Sequence, residues 1–143
     1  MSAARLSSDV SGSDEAAIAA RLPDYLARSY ARYSNFTDAS AVVDDQGGVH
    51  FGVNVENAAY PSGTCAEQTA IGAMITAGGR RIERVYIAAG SDAGDQPCGA
   101  CRQRIGEFAA KTCEIVSVQG GAATVRTPFW SLLPEAFGPG DLE

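Results

Sequence analysis

The stretch "SGTCAEQTAI" places Cys65 two residues before Glu67, where an apolar helical pattern begins. "QPCGACRQRIGEF" places Cys98 and Cys101 three positions apart at the start of a second such pattern. Taken alone, a C-x-x-C that opens a helix is a redox pair, half of a zinc site, or two incidental buried thiols. A helix N-terminus lowers a thiol pKa in the first two uses, but a redox dithiol needs no third cysteine. Cys65 is a third, 33 positions before Cys98 and also at an expected helix start. Three thiolates can bind Zn²⁺ through bonds of ~2.3 Å and leave a fourth position for water, the arrangement of a catalytic zinc rather than a structural one. Glu67 has two readings. "TCAE" satisfies the T-x-x-E capping box, in which Thr64 and Glu67 tie up free backbone groups at the helix start. Beside a metal's open position the same carboxylate can take a proton from water and deliver it elsewhere, and the three-cysteine set favours this second reading. Cys113 stands outside any spacing motif, before a strand, and is expected as a buried free thiol.

For the helix starts to meet, each helix must follow a strand of one sheet, with those strands parallel. The periodicity supplies such elements. Ile18, Leu22, Tyr25, Leu26 and Tyr30 recur at helical spacing from Asp14 to about Tyr30, with Pro23 either kinking that helix or opening a shorter one. "ASAVVDD" and "VHFGVNVEN" read as the strands of a hairpin around "QGG". Alternation in the second strand puts His50, Gly52, Asn54 and Glu56 on one face and Phe51, Val53 and Val55 in apolar packing. His50, the only histidine, reads as structural. A helix from about Cys65 to Ala77 stops at Gly78 and Gly79, and "RVYIAAG" follows as a buried strand. A helix from Cys98 or Gly99 to about Ala110 leads to the strands "CEIVSV" and "ATVRT" around "QGGA". The class is α/β, a sandwich around a mixed five-stranded sheet. The tail "PFWSLLPEAFGPGDLE" is apolar enough that it must pack, on its own domain or on another subunit.

The chain has 143 residues, 45% hydrophobic and 20% charged, a composition that suits one globular domain. Residues 1–13 lack apolar periodicity and are expected as a flexible leader, with 14–143 as the domain. A formal charge of -6 with no basic stripe argues against nucleic acid as a partner, and "GGRRIER" reads as a solvated loop. No apolar run approaches a membrane span and the start lacks a signal-peptide pattern, so a cytoplasmic location with no membrane association is expected.

"YSNF", "VNVENAAYPSGTCAEQTAI", "PCGACRQ" and "LLPEAFGP" together resemble the cytidine deaminase family, in the family's order and over most of the chain from Tyr33 onward. The resemblance implies a three-layer α/β/α sandwich with one Zn²⁺ per chain, held by Cys65, Cys98 and Cys101, and Glu67 as proton shuttle. Water activated at the zinc would add to C4 of cytidine or deoxycytidine while Glu67 protonates N3 and assists ammonia departure, giving uridine or deoxyuridine for pyrimidine salvage. It further implies that Asn54 and Glu56 bind the sugar hydroxyls, Phe36 contacts base or sugar, the Ala66 backbone faces the pyrimidine, and Tyr60 lines the pocket or reaches a neighbouring site. In the small members a C-terminal phenylalanine reaches a neighbouring subunit's site, which implies a homotetramer with Phe137 in that role.

Two departures stand out. Many relatives read "CAER" where this chain has Gln68, so a cation beside the thiolates is missing; Arg102, next to Cys101, is the expected partial substitute, and Gln68 can still reach a sulfur as a neutral group. Asp38 stands where the family usually has an apolar residue, on the expected base-side wall. Three rival readings follow: a blasticidin-type nucleoside deaminase, a catalytically silent zinc module, and, most distant, a polynucleotide editor.

Overall fold

The computed structural model describes residues 8–91 and 95–143. Its elements are α1 (Glu15–Leu26), β1 (Asp38–Asp44), β2 (Val49–Val53), α2 (Ala66–Thr76), β3 (Ile82–Ala89), α3 (Gly99–Phe108), β4 (Ala109–Gln119) and β5 (Ala122–Pro128). The five strands form one mixed sheet in the order β2-β1-β3-β4-β5. The hairpin β1–β2 pairs Ala39 with Val53 through Val43 with Val49. Asp44 organises its turn: Oδ1 accepts the Gln46 and Gly48 N–H groups and Oδ2 lies 2.8 Å from His50 Nε2. His50 is therefore structural, as expected, and buried.

β1 is antiparallel to both β2 and β3, so β2 and β3 run in the same direction, and β4 is parallel to β3. Parallel neighbours require a crossover connection, which α2 and α3 provide. Both helices therefore start beyond the C-terminal ends of their preceding strands, on one edge of the sheet. Helix α1 covers one face, where Ile18, Ala19 and Leu22 pack with Ala39, Val43 and Tyr86. On the opposite face Ala70, Ile71 and Met74 of α2 and Ile105 of α3 pack with Val42, Val85, Ile87 and Ile115. The result is the expected three-layer sandwich.

Several local expectations change. The α1 cap is Asp14, whose carboxylate accepts the Ala17 N–H at 3.1 Å. The helix ends at Leu26 rather than near Tyr30, and Pro23 lies inside its last turn and does not open it. Residues 1–7 of the expected leader lie outside the described residues. Residues 8–12 are not free: Gly12 donates to Gly47 O at 2.8 Å, Arg84 reaches Gly12 O, and Val10 is buried in the α1-side core. Strand β2 is shorter than expected and Val55 is exposed, because after Val53 the chain leaves the sheet and Val55 bridges Tyr30 and Thr64 instead.

In the tail, Phe129 is fully buried, Trp130 donates to Ala110 O at 3.0 Å, and Leu132 and Leu133 pack on the same core. Packing within the chain accounts for these four. Phe137 is 60% exposed. Among the described residues, no helix is long and apolar enough to cross a membrane.

The approach of α2 to the sheet depends on Gly52, because a Cβ there would collide with the Ala66 and Ala70 backbone. Gly52→Ala must therefore push α2, and Cys65 at its cap, away from β2. Overpacking of this kind costs about 1–3 kcal/mol. Chemical denaturation should show a loss of that order, with weakened metal retention in the same variant.

Candidate active site

The loop after β2 is tied down on both sides. Tyr30 N–H donates to Asn54 O at 3.0 Å and Glu56 N–H to Tyr30 O at 2.8 Å, while Val55 and Thr64 exchange two backbone bonds of 2.9 Å. This fixes Glu56 and Tyr60 beside the start of α2. A cavity of about 790 Å³ opens there, lined among others by Phe36, Asp38, Asn54, Glu56, Tyr60, Cys65, Glu67, Gln68, Cys98 and Arg104.

Cys65 is the cap residue of α2 and Cys98 that of α3, with no side-chain cap at either helix. The capping box proposed for Thr64 and Glu67 does not form. Thr64 is spent on the bridge to Val55 and its hydroxyl lies 3.3 Å from that of Thr69, so the cap falls one residue later. Glu67 is left in the first turn, 3% exposed, with its carboxylate turned to the cavity rather than to the helix end. Its oxygen and the Cys65 and Cys101 sulfurs all lie within 4.8 Å of one another. Burial raises the Glu67 pKa above the usual carboxylate range, against opposition from its own backbone N–H and from Arg104.

The Cys65 and Cys101 sulfurs meet directly, yet their Cα atoms are 7.6 Å apart. Relaxed disulfides span about 4.4 to 6.8 Å between Cα atoms, so the backbone is set too wide for a bridge and suits two thiolates converging on a shared ion. Cys98 is exposed on the same cavity wall and stands outside that tight group. Two converging sulfurs, a third cysteine on the wall and an adjacent carboxylate make a donor set that fits zinc. Cys113 lies apart from them in β4, buried, its thiol pushed up to about 12 by burial and then by Glu83 and Glu114.

The remaining expected residues divide. Asn54 is buried and engaged: Oδ1 accepts the Asp38 N–H at 3.0 Å and Nδ2 donates to Phe36 O at 2.8 Å. Glu56 accepts the Tyr33 and Ser34 N–H groups at 2.9 and 3.0 Å, and the Ser34 hydroxyl as well. The Ser34 hydroxyl and then the backbone N–H bonds hold the Glu56 carboxyl below its usual range. Phe36 and Tyr60 are exposed on the cavity wall, and Tyr60 meets Tyr33 edge-on at 6.1 Å. Ala66 is fully buried between the cavity-lining Cys65 and Glu67. Phe137 is not on the wall of its own chain's cavity; its carbonyl accepts from Gln103 Nε2 at 2.9 Å.

Arg102 does not face the sulfurs. Its Nε donates to Pro97 O at 2.9 Å and its Nη1 to Leu132 O at 3.3 Å. Successive residues on a helix point about 100° apart, so the position after Cys101 turns away while the position three later shares its side. Arg104 is that residue, with Nη1 3.5 Å from Cys65 Sγ and 3.7 Å from Cys101 Sγ. Gln68 is near, its Oε1 4.0 Å from Cys65 Sγ. The signal for Arg104 was its i+3 spacing from Cys101, which sequence reading passed over. Asp38, expected on the pocket wall, is found there: it is 9% exposed on the cavity wall, and its Oδ1 finds no hydrogen-bond partner.

An α/β/α sandwich with thiols at paired helix starts and a buried carboxylate between them belongs to the zinc-dependent hydrolytic deaminases. Comparison with known proteins narrows the class. Residues 14–117 match the family model of the cytidine and deoxycytidylate deaminase zinc-binding region. The chain is 33% identical over 115 residues to the cytidine deaminase of Sporosarcina psychrophila, covering 80% of this chain and 85% of that protein. It is 32% identical over 111 residues to that of Mycoplasma genitalium, covering 77% and 85%. Among solved structures, cytidine deaminase from Burkholderia pseudomallei superposes with a TM-score of 0.72 at 37% identity, over 84% of this chain and 94% of that one. The Mycobacterium tuberculosis enzyme gives 0.71 at 31%, over 91% and 99%. The chain belongs to the cytidine deaminase family and is a hydrolytic deaminase.

Burial, then the Glu67 charge, push the Asp38 carboxyl from its ordinary 3.8 up to about 8. It is protonated in the folded chain over a range where the unfolded chain ionises it. Its contribution to stability is therefore fully present below about pH 4 and is lost as pH rises towards 8. Asp38→Asn should remove this loss. In metal-stripped protein, melts at pH 5 and pH 8 should show the variant gaining on the wild type at the higher pH, by the order of a few kcal/mol.

Proposed function

We propose that the chain deaminates cytidine and deoxycytidine, each consuming one water and releasing ammonia to give uridine or deoxyuridine, in pyrimidine salvage. It works in the cytoplasm as a homotetramer, with 14–143 as a single catalytic domain and Phe137 reaching a neighbouring site. The observation that carries the reading is the buried Glu67 carboxylate, within 4.8 Å of two sulfurs on the wall of a cavity large enough for a nucleoside.

Cys65, Cys98 and Cys101 would hold one Zn²⁺ per chain. When bound, zinc supplies the Lewis acidity that makes water acidic enough to act as a nucleophile near neutral pH. The chain's own groups do the rest. Glu67, with its pKa raised by burial, accepts the proton of the attacking water and delivers it to N3; a second transfer to the exocyclic nitrogen lets ammonia leave. A carboxyl tuned upward suits both halves of that task, because it neither holds the proton too weakly to carry it nor stays ionised throughout. At the other end of the cavity, Glu56 stays ionised and pre-oriented by Tyr33 and Ser34, ready to accept from sugar hydroxyls. Asn54 is largely used in joining Phe36 to Asp38, so its main work is to hold the wall, with a remaining amide hydrogen for the sugar. Phe36 and Tyr60 offer aromatic faces for the base or sugar, and the backbone of Ala66, between the cavity-lining Cys65 and Glu67, would face the pyrimidine.

Two variants test this reading. Glu67→Gln should keep one zinc per chain and lose turnover of cytidine by about 10²–10⁴-fold or more, read as ammonia release and the ultraviolet change. Zinc-replete wild type that releases no ammonia from cytidine or deoxycytidine would overturn the substrate assignment. Glu56→Gln should raise KM by about tenfold or more with a smaller change in kcat, because it removes a charge-assisted acceptor distant from the reacting atoms.

A further inference from the structure

Three thiolates around a dication leave one net negative charge in a place only partly open to water. Such a site binds and activates best when hydrogen-bond donors or a cation draw charge from the sulfurs. On α2 the residue near Cys65 Sγ is Gln68, which is neutral. The cation comes from the other helix. Arg104 Nη1 lies 3.5 Å from Cys65 Sγ and 3.7 Å from Cys101 Sγ, so one guanidinium edge touches a sulfur from each helix. Arg104 is half-buried, and among the described residues no carboxylate forms an ion pair with it. Its Nη1 contacts are with the two sulfurs, and its charge also acts on the nearby Glu67 carboxyl, whose pKa it lowers. Arg104 lines both the reaction cavity and a second hollow of about 310 Å³, which it shares with Gln68, Ile71, Gln103, Glu107 and Phe108.

We propose that Arg104 is a positioning residue of the deamination reaction: it draws charge from the Cys65 and Cys101 thiolates, supplying from α3 the electrostatic complement that Gln68 does not provide from α2. This rests on the reading that these cysteines hold the catalytic metal. Arg104 keeps the sulfurs oriented as ligands and makes them poorer electron donors, which leaves a metal they bind more electrophilic. Since Gln68 stands 4.0 Å from Cys65 Sγ, an arginine introduced at position 68 would have the reach to take over this work.

The experiment uses the full chain loaded with Co²⁺ for spectroscopy and with Zn²⁺ for kinetics. In the wild type, Co²⁺ should give a sulfur-to-metal charge-transfer band. Arg104→Gln should retain the metal, move that band to longer wavelength because the sulfur electrons lie higher, and lower kcat on cytidine by about 10–100-fold with KM little changed. Gln68→Arg added to Arg104→Gln should move the band back and recover most of kcat. Arg104→Lys, which keeps the charge but not the planar fork, should fall between wild type and Arg104→Gln, and it carries the test if Arg104→Gln does not fold. A wild type without the charge-transfer band would sink the metal reading itself. A wild-type band that does not move in Arg104→Gln or Arg104→Lys would overturn the role of Arg104 alone, and so would failure of Gln68→Arg to restore a shifted band.

Discussion

The site exists because β2 and β3 run in the same direction. Both pair antiparallel with β1, and each leads to a helix that must cross back over one face of the sheet. Helix starts carry free backbone N–H groups and the positive end of the helix dipole, so two of them on one edge make a region that favours thiolates. Cys65 and Cys98 each occupy the cap of such a helix, and Cys101 follows one turn inside the second. Everything chemical in the molecule is arranged around that edge. The remaining architecture, including the α1 layer, the Asp44–His50 turn and the packed tail, holds the sheet in the form that keeps the two starts together.

The electrostatics of the cavity follow from how little water reaches it. Glu67 and Asp38 are both buried and both shifted upward, and the charge on Glu67 contributes to the shift of Asp38. Two carboxyls so placed do not both ionise readily near neutral pH. Burial raises the Glu67 carboxyl above its ordinary value, while its own backbone N–H and then Arg104 limit the rise. Glu56 has the opposite environment. Backbone and hydroxyl donors from Tyr33 and Ser34 hold it ionised, which suits a fixed acceptor and would disable a proton carrier.

Most of the sheet and the position of the helix starts were legible in the sequence, since strand alternation and helical spacing depend on burial that recurs every few residues. Features that depend on a single long-range contact were not. Val10 offers no periodicity, yet it is buried because Gly12 and the Gly47 turn bond to each other. The T-x-x-E box at Thr64 is locally sound and was overridden by the bridge between Thr64 and Val55, a contact outside the four residues that define the box. The sulfur–carboxylate cluster was legible because its spacings are local to two helices. Its cation was not, because adjacency in sequence pointed to Arg102, whereas helix geometry makes Arg104 the neighbour of Cys101.

Asn54 ties parts of the cavity wall together. Its amide accepts from the backbone of Asp38 and donates to the backbone of Phe36, so the segment that carries these two cavity-wall residues is pinned to the loop that carries Glu56. Those bonds use the main chain of residues 36 and 38, not their side chains, so this support is indifferent to which side chain stands at position 38. An acidic residue can therefore occupy the wall without disturbing the loop that carries Glu56, and what it changes is the polarity of the cavity wall. Cys65, Glu67 and Arg104 allow no such freedom, because their side chains make the arrangement and each is within reach of another's charge.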